Sequence, residues 1–205
     1  MCQTDIYQSL KRIVDAAAAF ILLLLLSPLL LILATAVRLK LGSPILFRQA
    51  RSGRNGTAFS ILKFRTLTES RDANGQLLDD ESRMTPFGRW MRHYSLDELP
   101  SILNILRGQM SFVGPRPFVA DYLDRYTDDE FKRHSVRPGL TGLAQVSGRN
   151  SLSWDDKLSM DVWYADHVSI DLDLRILTKT LIVIVRPSNV TAVGHASMPE
   201  FRPRP

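Results

Sequence analysis

The sequence predicts a helix-dominated α+β protein in which a membrane-seeking N-terminal segment precedes one small globular domain. Three observations predict this class. An uncharged apolar run of 22 residues extends from Ala16 to Val37; as a helix it is about 33 Å long, enough to cross a bilayer. Further along the chain, apolar residues recur at helical spacing. A turn-forming segment between two short apolar runs indicates one β-hairpin.

The apolar run is interrupted near its centre by Ser27 and Pro28. Pro28 lacks a backbone donor and its ring clashes with the carbonyl of Leu24, which predicts a kink or break. In lipid the freed carbonyl needs another donor, and the Ser27 hydroxyl is close enough to supply one. Basic residues flank both ends of the run: Lys11, Arg12, Arg38 and Lys40.

The flanking charges bear on how this segment meets the membrane. If basic flanks prefer the cytoplasm, both ends are satisfied together only when the chain turns back to the side from which it entered. The run is too long for the apolar region of a signal peptide. From the residues alone, a single spanning helix and a re-entrant hairpin both remain open.

Composition limits the classes of partner. The chain has 205 residues, a net charge of +5 and a single cysteine, Cys2, so we expect neither a disulfide framework nor a thiolate metal site. A modest basic excess fits nucleic acid, an anionic membrane surface or phosphorylated small substrates. Because the chain lacks a basic helix and a clustered aromatic platform, nucleic acid is not an expected partner.

The remaining elements are predicted from periodicity and turn residues. In chain order they are a hairpin around "SGRNG" within Ser43–Leu67, an exposed loop at Thr68–Arg83, a helix at Leu96–Leu106, an acidic-rich helix at Phe118–His134, a Gly-rich loop at Arg137–Asn150, a helix at Ser153–Val168 and an apolar helix at Asp173–Pro187. The last helix could pack in the core or lie at a membrane interface. We expect an anchor at residues 1–40, a globular domain at 41–195 and a flexible tail at 196–205.

The strongest candidate for chemistry is the acidic pair Asp97 and Glu98 in "SLDELP". A structural interpretation makes Ser95 and Glu98 a capping box. Pro100 weakens this interpretation, because a proline one turn inside the helix cannot donate a backbone hydrogen bond. A helix that begins later would leave the acidic pair more exposed. In the functional interpretation, one carboxylate attacks phosphorus while its neighbour helps to hold Mg²⁺. A helix N-terminus should keep Asp97 ionised. Because adjacent side chains on a helix diverge, we expect the two carboxylates to have separate roles and not to share a proton.

Several basic residues could bind phosphate near this pair. Arg116 stands between two prolines, which would hold an arginine fork rigid, although a solvated turn arginine is an equal alternative. Lys63 and Arg65 are two residues apart on a predicted strand and should share a face. They could be phosphate ligands, or they could form the solvent-exposed face of the hairpin. Arg92 lies upstream of the pair, and Arg149 follows a glycine. The histidines have no metal-ligand spacing, and no Walker-type motif is present.

Taken together, "SLDELP", "MSFVGPRP", "KFRT", "VRPGLTGLAQVSGRN" and the Ser-Pro-interrupted opening resemble, in this order, the bacterial sugar transferase family. The resemblance is closest to its small, monotopic polyprenyl-phosphate phosphoglycosyl transferases and covers Lys11 to His195. It implies a catalytic domain held on the cytoplasmic face of the bacterial inner membrane by a re-entrant hairpin broken at Ser27 and Pro28. Leu143 and Ser147 depart from the usual pattern of the Gly-rich loop.

The resemblance also implies an activity and its residues. A sugar phosphate would pass from a UDP-sugar to undecaprenyl phosphate, with Mg²⁺ as cofactor, membrane lipid as partner and UMP as product. Asp97 matches the covalent nucleophile and Glu98 the metal-associated carboxylate, with Asp173 a second acidic candidate for the metal. Basic positions are matched by Lys63, Arg92 and Arg116, while Arg149 stays a weaker phosphate-binding candidate from its place beside a glycine. The rival hypothesis is a non-catalytic, membrane-tethered basic adapter, and the sequence leaves a homodimer open.

Overall fold

The computed structural model describes residues 3–148, 151–185 and 201. Helices dominate, and the sheet content is small, as predicted. The α-helices are α1 (Gln3–Leu41), α2 (Asp80–Arg83), α3 (Pro86–His93), α4 (Ile102–Leu106), α5 (Asp128–Phe131), α6 (Leu143–Ser147), α7 (Trp154–Asp166) and α8 (Ile170–Val185). The strands are β1 (Leu46–Ser52), β2 (Ala58–Phe64), β3 (Ser111–Val113) and β4 (Gly139–Thr141).

The predicted hairpin is confirmed. Strands β1 and β2 pair antiparallel, with Leu46 opposite Phe64 and Ser52 opposite Ala58. The two ends of the paired region therefore differ in environment: Phe64 packs in the core with Leu33 and Val37 of α1, whereas the turn end lies toward the 3-10 helix at Lys132–Ser135. The hairpin thus connects α1 to the rest of the domain.

Helix α1 runs without interruption through Pro28, so its helical residues are not divided where the sequence predicted a break. The local chemistry explains this. Pro28 cannot donate to the carbonyl of Leu24, and the Ser27 hydroxyl donates to that same carbonyl at 2.8 Å. This substitute bond is the one expected from the sequence. The re-entrant hairpin itself remains a prediction.

Both ends of α1 are held by the same globular domain. Near its N-terminus, the Arg12 guanidinium donates to the carbonyls of Ile105 and Leu106 at 2.9 and 2.8 Å. At its other end, the Arg65 guanidinium donates to the Leu41 carbonyl and, at 3.0 Å, to that of Ser43. The helix is about 58 Å long at 1.5 Å per residue, and it is fixed along one face by these two sets of contacts.

The opposite face of α1 is apolar and exposed. Its uncovered side chains are Ile13, Val14, Phe20, Ile21, Leu24, Leu25, Leu29, Leu31, Ile32 and Leu39. Within the described residues, this helix alone is long and apolar enough to cross a membrane by length and composition. An exposed apolar surface of this extent on a soluble protein would be costly in water, so it calls for a lipid or protein covering.

The core is built where α1 and the hairpin meet the middle of the chain. Ala19 of α1 packs with Ile61 of β2 and with Ile102 and Ile105 of α4. A second cluster forms around Tyr164 of α7 with residues of β3 and α8, including Val113 and Ile176. Strands β3 and β4, which pair in parallel, lie between these clusters.

Two predicted helices differ from the structure. The segment expected to be helical from Leu96 begins as a 3-10 helix, Leu96–Ser101, and becomes α-helical only in α4; Pro100 inside it cannot donate to an i−4 carbonyl. The acidic segment Phe118–His134 forms three short pieces, with 3-10 turns at Ala120–Arg125 and Lys132–Ser135 on either side of α5.

The two C-terminal helices agree better with their patterns. Helix α7 begins after Ser153, whose side chain caps it by accepting from the Asp156 amide. Helix α8 begins at Ile170, and it buries Ile176 while exposing an apolar stripe. That stripe consists of Ile170, Leu174, Leu177, Leu181 and Ile182. The spacing fits an interfacial helix that also contributes to the core.

Phe201 falls in the segment predicted to be flexible, yet its side chain is 3% exposed. It packs against the rings of Tyr122, Tyr126 and Trp154, with ring centroids 5.0 to 5.7 Å apart. An aromatic residue in a basic, proline-rich tail is therefore a packing residue of the domain.

Candidate active site

Asp97 and Glu98 lie in the short 3-10 helix that follows α3. Ser95 precedes it with φ +54°, in the left-handed region, and its side chain makes no capping hydrogen bond. The capping-box interpretation is therefore wrong. The left-handed residue turns the chain sharply after α3, so that the two consecutive acidic side chains enter the domain instead of serving as a helix cap.

Glu98 binds two of the predicted basic residues. Its Oε1 accepts from Lys63 Nζ at 2.6 Å and from Arg116 Nη2 at 3.0 Å. Burial alone would raise the pKa of Glu98, but the charges of Lys63 and Arg116 outweigh it and hold that pKa below its ordinary value. Glu98 is therefore ionised at neutral pH and joins the end of β2 to the loop after β3.

Asp97 is buried, at 8% exposure, which corrects the expectation that the acidic pair would be exposed. Within the described part of the chain, no other side chain donates a hydrogen bond to its carboxylate. Burial, followed by the negative charge of Glu98, raises the pKa of Asp97 to about 6, against the opposing effect of Lys63 and Arg92. The two carboxylates are thus electrostatically linked, contrary to the sequence-based expectation, although Asp97 is still mostly ionised above pH 7.

Arg92 is placed beside this pair by the end of α3. Its Nε donates to the Thr66 hydroxyl at 2.9 Å, and its charge lowers the pKa of Asp97. Arg65, in contrast, does not share the site with Lys63. Strand β2 ends at Phe64, so the alternation that would put both cations on one face stops, and Arg65 is buried against the C-terminus of α1.

The backbone around Arg116 is fixed by a close crossing with the Gly-rich loop. The amide of Gly114 donates to the Thr141 carbonyl and the amide of Gly139 to the Pro115 carbonyl, both at 2.9 Å. A Cβ atom on Gly139 would overlap the Gly114 amide nitrogen, and one on Gly142 would overlap the Gly114 carbonyl. The glycines of this motif therefore allow two backbones to approach closely and hold the Arg116 segment in place.

A buried ion pair, which the sequence did not reveal, supports the same segment. Arg133 and Asp161 are each 1% exposed in their side chains and lie 2.6 Å apart. Nη2 of Arg133 also donates to the backbone carbonyl of Arg116 at 2.6 Å. Since Arg133 and Asp161 lie 28 residues apart on different elements, no local sequence pattern could have paired them.

Glu98 and the two cations that bind it line a small cleft that is open to solvent. Its polar lining consists of Arg51, Lys63, Glu98 and Arg116. Arg51 was missed at the sequence level, although the register of the hairpin places it on the same face of β1–β2 as Lys63. The predicted hairpin could have indicated this if its register had been known.

Of the predicted site residues that the structure describes, Asp97, Arg92 and Asp173 do not line this cleft. Asp173 accepts from Tyr164 Oη at 2.6 Å, from Tyr7 Oη at 2.7 Å and from Lys11 Nζ. Its carboxylate is thereby committed to the junction of α1 with α7 and α8, and no contact joins it to Asp97 or Glu98 in the described ranges. Arg149 lies outside the described residues. Leu143 of the Gly-rich loop packs against the cluster around Tyr164.

Comparisons with known proteins agree on one family. The family model described as bacterial sugar transferase matches residues 6–187. The chain is 46% identical over 192 residues to the uncharacterized sugar transferase EpsL of Bacillus subtilis (strain 168), covering 94% of this chain and 95% of that protein. It is 40% identical to the UDP-glucose:undecaprenyl-phosphate glucose-1-phosphate transferase of Caulobacter vibrioides, over 87% of this chain and 71% of that protein.

A third relative is much longer than this chain. The undecaprenyl-phosphate galactose phosphotransferase of Salmonella typhimurium (strain LT2) is 38% identical over 86% of this chain, but the match spans only 40% of that protein. Residues 6–187, which the family model matches, contain the acidic pair, the cationic residues around it and most of the apolar N-terminal helix.

Proposed function

Because the chain belongs to the bacterial sugar transferase family, we propose that it transfers a sugar phosphate from a UDP-sugar to undecaprenyl phosphate, releasing UMP. The observation that carries the proposal is Asp97, a buried carboxylate to which no side chain of the described residues donates, next to a carboxylate held between two cations. The names of the Caulobacter and Salmonella relatives support an undecaprenyl-phosphate acceptor, and the first also supports a UDP-linked donor.

In the first half of the proposed reaction, a carboxylate oxygen of Asp97 attacks the phosphorus that carries the sugar. The bond from this phosphorus to the bridging oxygen of the diphosphate breaks, and UMP leaves with the bonding electrons. The product is a mixed anhydride between Asp97 and the sugar phosphate. Nucleophilic attack requires the ionised carboxylate, which a pKa of about 6 allows at neutral pH.

In the second half, a phosphate oxygen of undecaprenyl phosphate attacks the same phosphorus. The bond to Asp97 breaks, the carboxylate is restored, and the polyprenyl-diphosphate-sugar is released. The two substrates share one nucleophile in turn, which is a ping-pong course. Such a course suits a soluble donor and a lipid acceptor, because the two substrates occupy the site one after the other and never at the same time.

The cations have distinct roles in this proposal. Phosphoryl transfer depends mainly on positioning and on neutralising charge. Glu98 holds Lys63 and Arg116 at one edge of the cleft, where both present further N–H donors. Arg92 keeps the pKa of Asp97 from rising further. Together they would offset negative charge that moves from the diphosphate onto UMP.

Mg²⁺ is proposed as the cofactor, and the donor set fits it. Magnesium is usually bound by one or two carboxylates together with substrate phosphates. Both hydrogen bonds to Glu98 reach Oε1, so Oε2 accepts none within the described residues and could serve as a ligand. No cluster of three or more acidic, histidine or cysteine ligands occurs in the described ranges, which fits a site completed by substrate. When bound, the ion would neutralise charge on the diphosphate.

The placement of α1 supports a monotopic anchor on the cytoplasmic face. A helix that crossed the bilayer would carry its N-terminus to the other side, away from the domain. Here Arg12 and Leu41 both contact that domain, while the face between them is apolar and exposed. An unbroken helix held at both ends along the domain can lie against one leaflet with its apolar face in lipid, which would keep Asp97 near the headgroups of a lipid acceptor; a re-entrant path would in addition require α1 to bend at Ser27 and Pro28.

The proposal is tested by measuring UMP release from UDP-sugars with the protein in nanodiscs that contain undecaprenyl phosphate. We expect release that needs Mg²⁺ and that is lost in Asp97→Asn, with an unchanged thermal unfolding midpoint. Asp121→Asn, a change at an exposed acidic side chain, is the matched control and should retain activity. Full turnover by Asp97→Asn would reject the nucleophile, and the absence of release with any UDP-sugar would favour the non-catalytic adapter.

A further inference from the structure

Arg51 lines the same cleft as Glu98 of the acidic pair. In the β1–β2 ladder, Arg51 is the partner of Phe59, and Phe47 that of Lys63. Partners in an antiparallel pair share a face, and residues two apart on one strand do so as well. Arg51 and Lys63 therefore project from the same face of the hairpin, and both line the cleft with Glu98 and Arg116.

The guanidinium of Arg51 is fixed, but by neutral groups only. Its Nη2 donates to Gln49 Oε1 at 2.6 Å, and its Nη1 donates to the Pro117 carbonyl at 3.3 Å. Its Nε is buried and has no hydrogen-bond partner. No carboxylate within the described residues forms an ion pair with it. Lys63 and Arg116, by comparison, both bind Glu98.

The electrostatics of the cleft therefore favour an anionic ligand. Three cationic side chains and one carboxylate line it, a net charge of +2. If the neighbouring Asp97 is also ionised, the net charge of these five side chains is still +1. Burial, followed by the neighbouring charge of Arg116, lowers the pKa of Arg51 to about 10, so the guanidinium remains charged at neutral pH. A partly desolvated cation without a counter-ion is unfavourable by itself, and a phosphate oxygen would compensate it.

Starting from the proposed function, we propose that Arg51 is a substrate-binding residue that donates to a phosphate oxygen of the UDP-sugar diphosphate. An arginine fork held by Gln49 and Pro117 presents its remaining N–H groups with little loss of side-chain entropy. Lys63 and Arg116 each form an ion pair with Glu98 and offer their remaining N–H groups, whereas Arg51 forms no ion pair within the described residues, so its charge is the least compensated in this cleft.

The shared chemistry is a phosphate, which could also come from the lipid acceptor, so the experiment separates the two sources. Calorimetry would measure the binding of UDP, and separately of undecaprenyl phosphate, to full-length Asp97→Asn protein in nanodiscs. That background prevents turnover, so binding is read without chemistry. Adding Arg51→Gln should weaken UDP binding about ten- to a hundredfold, as expected for hydrogen bonds to a charged group, and leave lipid binding unchanged.

The matched control is Arg48→Gln, because Arg48 lies on the same strand, is exposed and faces away from the cleft. It should leave UDP binding within twofold. Arg51→Lys keeps the charge but loses the fork, so we expect an intermediate loss; it also serves as the test variant if Arg51→Gln does not fold, as judged by thermal unfolding.

Three outcomes would overturn the assignment, and they differ from a failure of the proposed function. Unchanged UDP binding in both Arg51 variants would show that Arg51 only supports the hairpin. Weakening confined to undecaprenyl phosphate would move the contact to the acceptor. If Arg51→Gln weakened the binding of both ligands equally and Arg51→Lys restored the binding of both, the effect would be a general one of charge. If the Asp97→Asn parent bound no UDP at all, the proposed function would fail, and this inference with it.

Discussion

The ammonium of Lys63 lies 2.6 Å from Oε1 of Glu98, so that the end of the hairpin is joined to the 3-10 helix that carries Asp97. Arg116 binds the same oxygen from the loop after β3. Through this one carboxylate, three segments distant in sequence are brought around the proposed nucleophile.

The rate of UMP release should fall on the acidic side because Asp97 must be ionised. Burial raises its pKa to about 6, so we expect a roughly tenfold loss at pH 5, one unit below that value. The apparent pKa belongs to the linked Asp97–Glu98 pair. It is obtained from the pH dependence of the first half-reaction, measured without lipid acceptor.

The position of Arg92 makes the pH profile diagnostic. Its charge lowers the pKa of Asp97, so Arg92→Gln should shift the acidic limb to higher pH. Arg89→Gln changes an exposed arginine on the same helix and should leave the limb in place. A limb that does not move in Arg92→Gln would mean that the titrating group is not Asp97.

The buried pair Arg133–Asp161 should dominate the stability of the α7 region. Asp161→Asn leaves the fully buried Arg133 charge uncompensated, and we expect a loss of about 3–5 kcal/mol in the free energy of unfolding. Asp171→Asn breaks an exposed ion pair, in which the Arg175 side chain is 73% and the Asp171 side chain 68% exposed. This change should cost less than about 1 kcal/mol in the free energy of unfolding. Urea unfolding measures both, and equal losses would contradict the assignment.

Asp173 should act as a structural attachment of α1 and not as a metal ligand. It binds Tyr7, Lys11 and Tyr164, so Asp173→Asn should lower the thermal unfolding midpoint. The Mg²⁺ concentration that gives half-maximal activity should stay unchanged, whereas Glu98→Gln should raise it. A selective increase of that concentration in Asp173→Asn would return this residue to the metal site.

How much of this structure could be read from the sequence depends on the range of the interaction. The hairpin and helix α7 are predicted well because the turn residues of the one and the helical pattern of the other are local signals. The segment Phe118–His134 is predicted as one helix, but its backbone becomes extended at Tyr126 and a new helix, α5, begins at the Thr127–Glu130 capping box. Capping residues can indicate helix starts without indicating helix length.

The residues of the candidate site also divide into those that local motifs reveal and those that depend on contacts between distant elements. Asp97, Glu98, Lys63 and Arg116 were identified from motifs, and the structure places the last three in direct contact. Arg51 and the pair Arg133–Asp161 were missed because their partners come from other elements. The burial of Asp97 also could not be predicted, since it depends on how Ser95 turns the chain after α3.

The anchor can be tested with the native cysteine. Cys2 is the only cysteine of the chain, and the re-entrant topology places it on the cytoplasmic side. A maleimide reagent that cannot cross the inner membrane should label Cys2 in inverted vesicles but not in intact spheroplasts. Ser27→Ala combined with Pro28→Leu removes the signal for a break and should expose Cys2 in spheroplasts. Labelling of the unchanged protein from the periplasmic side would show a spanning helix.

The central claim, that Asp97 carries the sugar phosphate between the two substrates, is tested most directly by intact-protein mass spectrometry. The protein is incubated with Mg²⁺ and a panel of UDP-sugars in the absence of lipid acceptor. We predict a mass increase equal to one sugar phosphate, mapped to Asp97, which disappears on addition of undecaprenyl phosphate and does not form in Asp97→Asn. Turnover that proceeds with no protein-linked species, or an adduct that still forms in Asp97→Asn, would contradict the account.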